Sequence, residues 1–484
     1  MLFFRKIIFY IFTAVYIILC PALILYAFGY LYTPGTVGGV VKTGLISLST
    51  APDEANVYMS GRKYSKKTPA ILRELLPGDY DIKIKLKGYR DWERTVSVKE
   101  EKAAVFESIL LLPESWEKNI SVHGKFSEMI VLPGTNLLIL SESDKLGDHM
   151  VYDRVKEKSW PLLEAASSLK EHKYLSSFTS DGDPSILVHA AAERGETYFW
   201  FHIKEGENTV KDVTRFFSVR PSDVKWTPGH PDYIFSLQDR YLNRIDIKAG
   251  SEYPRYIENV KGYGIYKEEI YVLGTDDTFT KMGFDKPGEE IIVKKIDNVS
   301  SIFSGEEHYN IKIPEKDLIL FIGAGGELLV NKLPYRFADE GVLGIEMYSD
   351  NKKVLIWKKD RIGILDLDEE RIGSVEFEQE PSVNWVYTKG RNIEQCFLIY
   401  DDSHVLFLDG KTLFIMPVDG DDDGGVSKVF TLKEKSYVYY SEDTGKVYFV
   451  QASGGGLSEA EIVPKESLIP MTILEDQRSE VIRS

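Results

Sequence analysis

From Leu132 almost to its C-terminus the chain repeats one theme: an aromatic or apolar residue, a turn cluster, an apolar strand, a second turn and a second strand. The clearest copies are WTPGHPDYIFSLQDRYLNRIDIKAG from Trp226 and YSDNKKVLIWKKDRIGILDLDEERIG from Tyr348. Looser copies begin at Phe178, Ile313 and Tyr440, and further ones at Leu132, Tyr266 and Tyr387. Successive starts lie 46, 48, 40, 47, 35, 39 and 53 residues apart. Paired strands recurring at this period are what a four-stranded propeller blade requires, because each unit buries its faces against its neighbours. The spacing predicts a β-propeller of seven or eight blades over residues 114–465, against the alternative of two smaller all-β domains. The 28 Tyr and 24 Phe fit such surfaces, since aromatic side chains pack well on half-buried pleats. EAASSLKEH, near residues 164–172, is the one candidate amphipathic helix in this region.

These units resemble the TolB-like and WD40-like propeller repeats, although no Trp-Asp dipeptide closes a strand. Tyr348-Ser349-Asp350 stands where those repeats often carry an aromatic-Ser-Pro-Asp-Gly turn.

The other end of the chain is constrained differently. Ile7 to Tyr32 contain no charged side chain, and 26 residues at 1.5 Å per residue exceed the roughly 30 Å hydrocarbon core of a bilayer. The run predicts a transmembrane signal anchor over residues 1–32, a buried core helix being the other reading. It is too long for the apolar region of a cleaved signal peptide, and Ile17, Ile18 and Leu19 before Cys20 lack the small residue of a lipoprotein signal. Arg5 and Lys6 flank one side, while no charge follows until Lys42, so the N-terminus is expected in the cytoplasm of a bacterial-type cell and the bulk of the chain outside the membrane. Tyr26, Tyr30 and Tyr32 would sit at the outer interface. Cys20 and Cys396 are the only cysteines, which leaves one in the ectodomain and no disulfide within it.

Gly-rich residues 33–43 read as a linker. From Leu45 the chain changes to short strands and turns. In LPGDYDIKIKLKGY, Tyr80, Ile82, Ile84 and Leu86 alternate with Asp81, Lys83, Lys85 and Lys87, the period of a strand with one buried face. Gly44, the strand Leu45 to Thr50, Pro52, Ala55, Val57, Gly61, Thr68-Pro69, Leu75, Pro77-Gly78, Tyr80 and Lys87-Gly88-Tyr89 together resemble the PEGA domain, a small surface-associated β module. The eponymous Pro-Glu-Gly-Ala stands here as Pro52-Asp53-Glu54-Ala55, different at two positions. The resemblance implies a PEGA-like β-sandwich over 44–113 serving as a stalk beside the membrane. The fold class expected is thus mainly β, with one N-terminal transmembrane helix, this sandwich, the propeller, and a loose tail over 466–484.

Charge separates the two folded parts. Lys42 to Pro113 hold thirteen Lys and Arg against ten Asp and Glu, and with Arg5 and Lys6 set apart the total of −16 leaves −21 for residues 114–484. So acidic a chain is not expected to bind nucleic acid. The basic module would suit anionic headgroups or a cell-wall polymer, or its lysines simply form the solvated face and protect sheet edges. The eight histidines never fall within ten residues of one another, and neither a nucleophile elbow nor a Walker loop occurs. No catalytic residue or bound cofactor is therefore expected. VDGDDDGG, residues 418–425, is the exception that points to a ligand: Asp419, Asp421 and Asp423 before Gly424 match the start of a calcium loop, though Phe430 stands where an EF-hand needs its glutamate. A solvated acidic hairpin accounts for the same residues. The expected function is a membrane-anchored extracytoplasmic binding or scaffolding protein whose propeller meets an envelope protein or a carbohydrate. The alternative is a propeller enzyme, a glycan or peptide hydrolase using paired carboxylates.

Overall fold

In the computed structural model the described residues are 2–27, 30–32, 40–164, 166–193, 195–284, 308–316, 318–332, 335–367, 382–418, 425–433, 436–451 and 454–468. They belong to two compact units, Met1–Glu117 with Val463–Ser484, and Lys118–Ile462.

The first unit opens with helix α1, Leu2–Ala27, which contains Pro21. Most of its described side chains lie bare, with Phe12 and Ile18 each 74% exposed. Among the described residues no helix is long and apolar enough to cross a membrane. The span expected from residues 7–32 is thus not part of the described architecture. After α1, Tyr30–Tyr32 pairs antiparallel with Val40–Lys42, Tyr30 opposite Lys42. The stretch read as a linker therefore includes a strand, Val40–Lys42. Lys42 stacks its ammonium 5.0 Å from the Tyr30 ring and also pairs with Glu101.

Two sheets follow. One runs Ala70–Leu75, Gly44–Ala51, Ala103–Leu110, and the other Arg62–Lys67, Asn56–Met59, Gly78–Lys85, Trp92–Val98, in those orders. Ile46, Leu48 and Leu72 of the first sheet pack with Val57, Ile82, Ile84 and Val96 of the second. The alternation in Gly78–Lys85 has this cause: Ile82 and Ile84 face the core, while Lys83 and Lys85 reach Asp91 in the wet layer, each at 2.9 Å. The turn after Ala51 is fixed by a pair of threonines. Thr50 and Thr68 hydroxyls meet at 2.6 Å, and Thr68 Oγ1 accepts the amide of Ala55.

The second unit is a succession of antiparallel sheets. Among the described residues six have four strands and one has seven. In chain order the first strands are Glu128–Val131, Lys173–Thr179, Asp223–Thr227, Val260–Tyr266, Tyr309–Glu315, Gly344–Met347, Ile393–Ile399 and Ser436–Ser441. Each of these leads into a meander of strands, and those beginning at Val260 and Tyr309 are fused into the seven-stranded sheet. Apolar clusters join successive sheets face to face: Ile139 and Val151 with Ile186 and Phe201, Leu187 and Trp200 with Trp226 and Ile245, Phe235 and Leu242 with Tyr263 and Ile270. The last sheet packs on the first through Tyr448, Val450, Leu138 and Leu140. Its fourth strand comes from the other end of the unit, Asn119–Phe126 pairing with Gly455–Glu461. This last-on-first order is that of a β-propeller.

Among the described residues near 164–172 there is no amphipathic α-helix. Ser168–Glu171 make a single 3-10 turn capped by the hydroxyl of Ser167. The segment buries none of its residues, so nothing favours a longer helix over the adjoining strands.

Candidate functional site

The first strand of each four-stranded sheet stands at one edge of that sheet, with no strand beyond it. Those residues are the place to look for chemistry.

The seven-stranded sheet breaks the pattern, and glycine explains why. Gly262 and Tyr263 run parallel to Tyr309 and Asn310. A Cβ on Gly262 would lie 2.3 Å from the carbonyl oxygen of Tyr309, so only glycine lets the two first strands pair. Lys225, from the neighbouring sheet, fastens this junction. Its Nζ donates to the carbonyls of Tyr263 at 2.7 Å and Ile311 at 2.9 Å and to Asn310 Oδ1 at 3.1 Å, with Asp223 at 3.3 Å. Burial pulls the Lys225 ammonium below its ordinary pKa, with Asp223 resisting. Every proton of this lysine is used structurally.

Across three other sheets the turns after the first strands read YSDN from Tyr348, YDDS from Tyr400 and YSED from Tyr440. Here carboxylates gather. Asp402 accepts the amide and hydroxyl of Ser349 at 2.7 and 2.6 Å. Tyr400, Asp401 and Asp402 all adopt left-handed φ, 52°, 52° and 57°, a run that costs an ordinary residue about 1 kcal/mol or more apiece. Glu346, just before the first of these turns, accepts the amide of Leu398 at 2.9 Å. Burial pushes the Glu346 carboxyl up to about 7, with Glu442 and Asp402 adding to the rise and Lys312 opposing it. Glu442 is raised too, by the atoms that crowd its partly exposed carboxyl and then by Asp402, Asp401 and Asp443. Behind this group Cys396 is buried, its thiol pushed up by burial, and His404 is held down to about 4 by burial, with Nδ1 2.8 Å from Ser403 Oγ.

A second, smaller grouping lies on the sheets starting at Glu128, Lys173 and Ser436. Burial raises the carboxyl of Glu128 and the phenols of Tyr174 and Tyr437, with Glu128 adding to the rise of both phenols.

Asp419, Asp421 and Asp423 lie outside the described residues, which stop at Val418 and resume at Gly425. Among the described residues no group of three His, Cys, Asp or Glu could hold a metal ion. Glu346, Asp401, Asp402, Glu442 and Asp443 escape sequence reasoning because they look like turn punctuation. The available signal is the recurrence of a tyrosine followed by two or three polar and acidic residues in three successive units.

Residues 43–109 match the PEGA domain. That match covers the sandwich and none of the sheets after it. No curated protein matches the chain. Among solved structures, the β-propeller domain of Myceliophteria_thermophila Cps50 (Swd1) is 11% identical, with 72% of this chain and 100% of that chain covered at a TM-score of 0.40. The computationally designed Ika8 protein is also 11% identical, with 72% and 98% covered and a TM-score of 0.44. A chain of the mitotic checkpoint complex is 10% identical, with 61% and 91% covered and a TM-score of 0.38. The propeller assignment rests on strand pairing and on the packing of last sheet against first.

Proposed function

We propose that this chain is a membrane-anchored binding or scaffolding protein of a bacterial-type cell envelope, working outside the cytoplasmic membrane. In this reading α1 spans the bilayer with the N-terminus in the cytoplasm, the PEGA module is the stalk, and an eight-bladed propeller is the platform. The eight blades are the six four-stranded sheets plus two from the seven-stranded sheet, divided at the parallel pair Gly262–Tyr263 with Tyr309–Asn310. The partner is a protein or carbohydrate of the envelope. The anchor is supported by the bare apolar side chains of α1, since exposed aromatic and aliphatic residues in such density are costly in water.

The observation that carries the platform reading is that turns from successive sheets meet, Ser349 with Asp402 and Asp402 with Glu442, and bear polar and acidic side chains, the usual way a rigid β scaffold presents a binding face. Full-length protein in detergent should sediment with envelope fragments prepared from the source cells, and free protein left wholly in the supernatant at low salt would contradict it.

Glu346 keeps a second reading in play. A buried carboxyl titrating near neutrality beside other carboxylates is the kind of group a hydrolase uses as a general acid. If the chain were a glycan or peptide hydrolase of this type, Glu346→Gln would abolish turnover of an envelope substrate while leaving sedimentation intact.

A further inference from the structure

We propose that the turns 400–403 and 441–445, together with Glu346, form a docking mouth for a lysine- or arginine-bearing segment of a partner protein. The inference deepens the platform reading and rests on it.

Three observations converge. Five carboxylates, Glu346, Asp401, Asp402, Glu442 and Asp443, act on one another from three successive sheets, and the charges acting on Glu442 are all carboxylates. Lys312 opposes the rise at Glu346, and no cation is among the charges acting on Glu442. Asp401, Glu442 and Asp443 are exposed, so the negative charge is presented to solvent.

The second observation concerns hydroxyls. Tyr440 and Ser441 are only 4% and 1% exposed, yet neither hydroxyl has a hydrogen-bond partner among the described residues. The Tyr440 hydroxyl feels the charges of Glu442 and Asp401, which places it against the cluster. A buried hydroxyl without a partner costs about 1–3 kcal/mol, a cost recovered when a ligand brings a donor or acceptor.

The third observation narrows the ligand. The described carboxylates do not form a group able to chelate one metal ion. Carboxylates spread over adjoining turns instead suit several separate cations, and guanidinium and ammonium groups on a flexible segment supply them with directed donors. Asp402, tied to Ser349, sets the geometry of the floor, leaving Asp401, Glu442 and Asp443 to meet the partner.

The test uses full-length protein in detergent and a fluorescent eight-residue peptide of alternating lysine and arginine, read by anisotropy. Two double variants are compared: Glu442→Gln with Asp443→Asn, and, as a control of equal charge, Glu193→Gln with Glu207→Gln, both exposed on a distant sheet. Salt-sensitive binding that falls at least tenfold in the first variant and stays within twofold in the control is the expected result. Equal weakening in both would mean diffuse attraction to an acidic protein and would overturn the docking mouth. So would calcium-dependent stabilisation that the first variant abolishes, since that marks an ion site. If the wild type ignores the peptide but still sediments with envelope fragments, the mouth is wrong and the platform stands, whereas failure in both assays removes both.

Discussion

At the scale of single residues, the structure locates two departures from comfort. Glu54 occupies the third position of the Pro-Asp-Glu-Ala turn and has φ of 65°, a conformation that glycine takes freely. Its side chain compensates little, since its 3.0 Å pair with Lys67 is exposed. Glu54→Gly is expected to stabilise this turn by about 0.5–1 kcal/mol. Hydrogen exchange at the amides of Glu54 and Thr68, which bond to the carbonyls of Thr68 and Ala55, should slow roughly two- to fivefold, and faster exchange would refute the strain. Glu346 is the other case. Its folded pKa of about 7 lies above the ordinary carboxylate value, so the folded state binds more protons than the unfolded one between roughly pH 4.5 and 7. The carboxylate therefore costs stability progressively as pH rises through that window, with the full penalty above it. Glu346→Gln keeps an acceptor for Leu398 and removes the titration. Its unfolding free energy should match wild type near pH 4.5 and exceed it at pH 8 by about 1–3 kcal/mol, read by urea unfolding at the two pH values. A difference independent of pH would contradict the assignment.

At the scale of elements, most of what could be read from sequence was periodicity, and its failures have a common cause. The alternation of Ile82 and Ile84 with Lys83 and Lys85 corresponds directly to core and solvent faces. Likewise, Leu132, Phe178, Trp226, Tyr266, Ile313, Tyr348 and Tyr440 all fall at or near the end of a first strand. Tyr387 does not: it ends the fourth strand of its sheet, and Tyr400 is the true equivalent. An aromatic residue before a turn looks the same on any antiparallel strand, and only pairing, which is non-local, tells the strands apart. For the same reason the repeat read from Tyr266 gives no sign that Gly262, just before it, permits a parallel junction that changes the sheet. Gly262→Ala is expected to destabilise the second unit by about 1–3 kcal/mol, because the new methyl meets the Tyr309 carbonyl. Urea unfolding would check this, and an unchanged midpoint would show that the junction yields easily. The acidic turns were legible only as a repeated tetrapeptide, since the gathering of Asp401 and Glu442 depends on which sheets are neighbours.

At the scale of the whole chain, closure of the second unit depends on two strands from opposite ends of it. Glu459 holds them: Oε2 accepts from Ser121 at 2.8 Å and Oε1 from Lys446 at 2.7 Å. The Glu459 side chain is 13% exposed, and losing it leaves the half-buried Lys446 ammonium only its longer 3.8 Å pair with the exposed Glu157. Glu459→Ala should cost about 2–3 kcal/mol in urea unfolding, while Lys156→Ala, which breaks an exposed pair with Glu205, should cost less than about 0.5 kcal/mol. Equal costs would mean that the closing strand contributes little. Placement of this assembly outside the cytoplasmic membrane is the central claim, and labelling of a single introduced cysteine tests it most directly. Val155 is 53% exposed on the second unit, whereas the native Cys396 is buried at 4%. In a Cys20→Ser background, Val155→Cys in intact cells should react with a membrane-impermeant maleimide while the protein fractionates with membranes. Labelling only after lysis, or recovery of the protein in the soluble fraction, would contradict the claim.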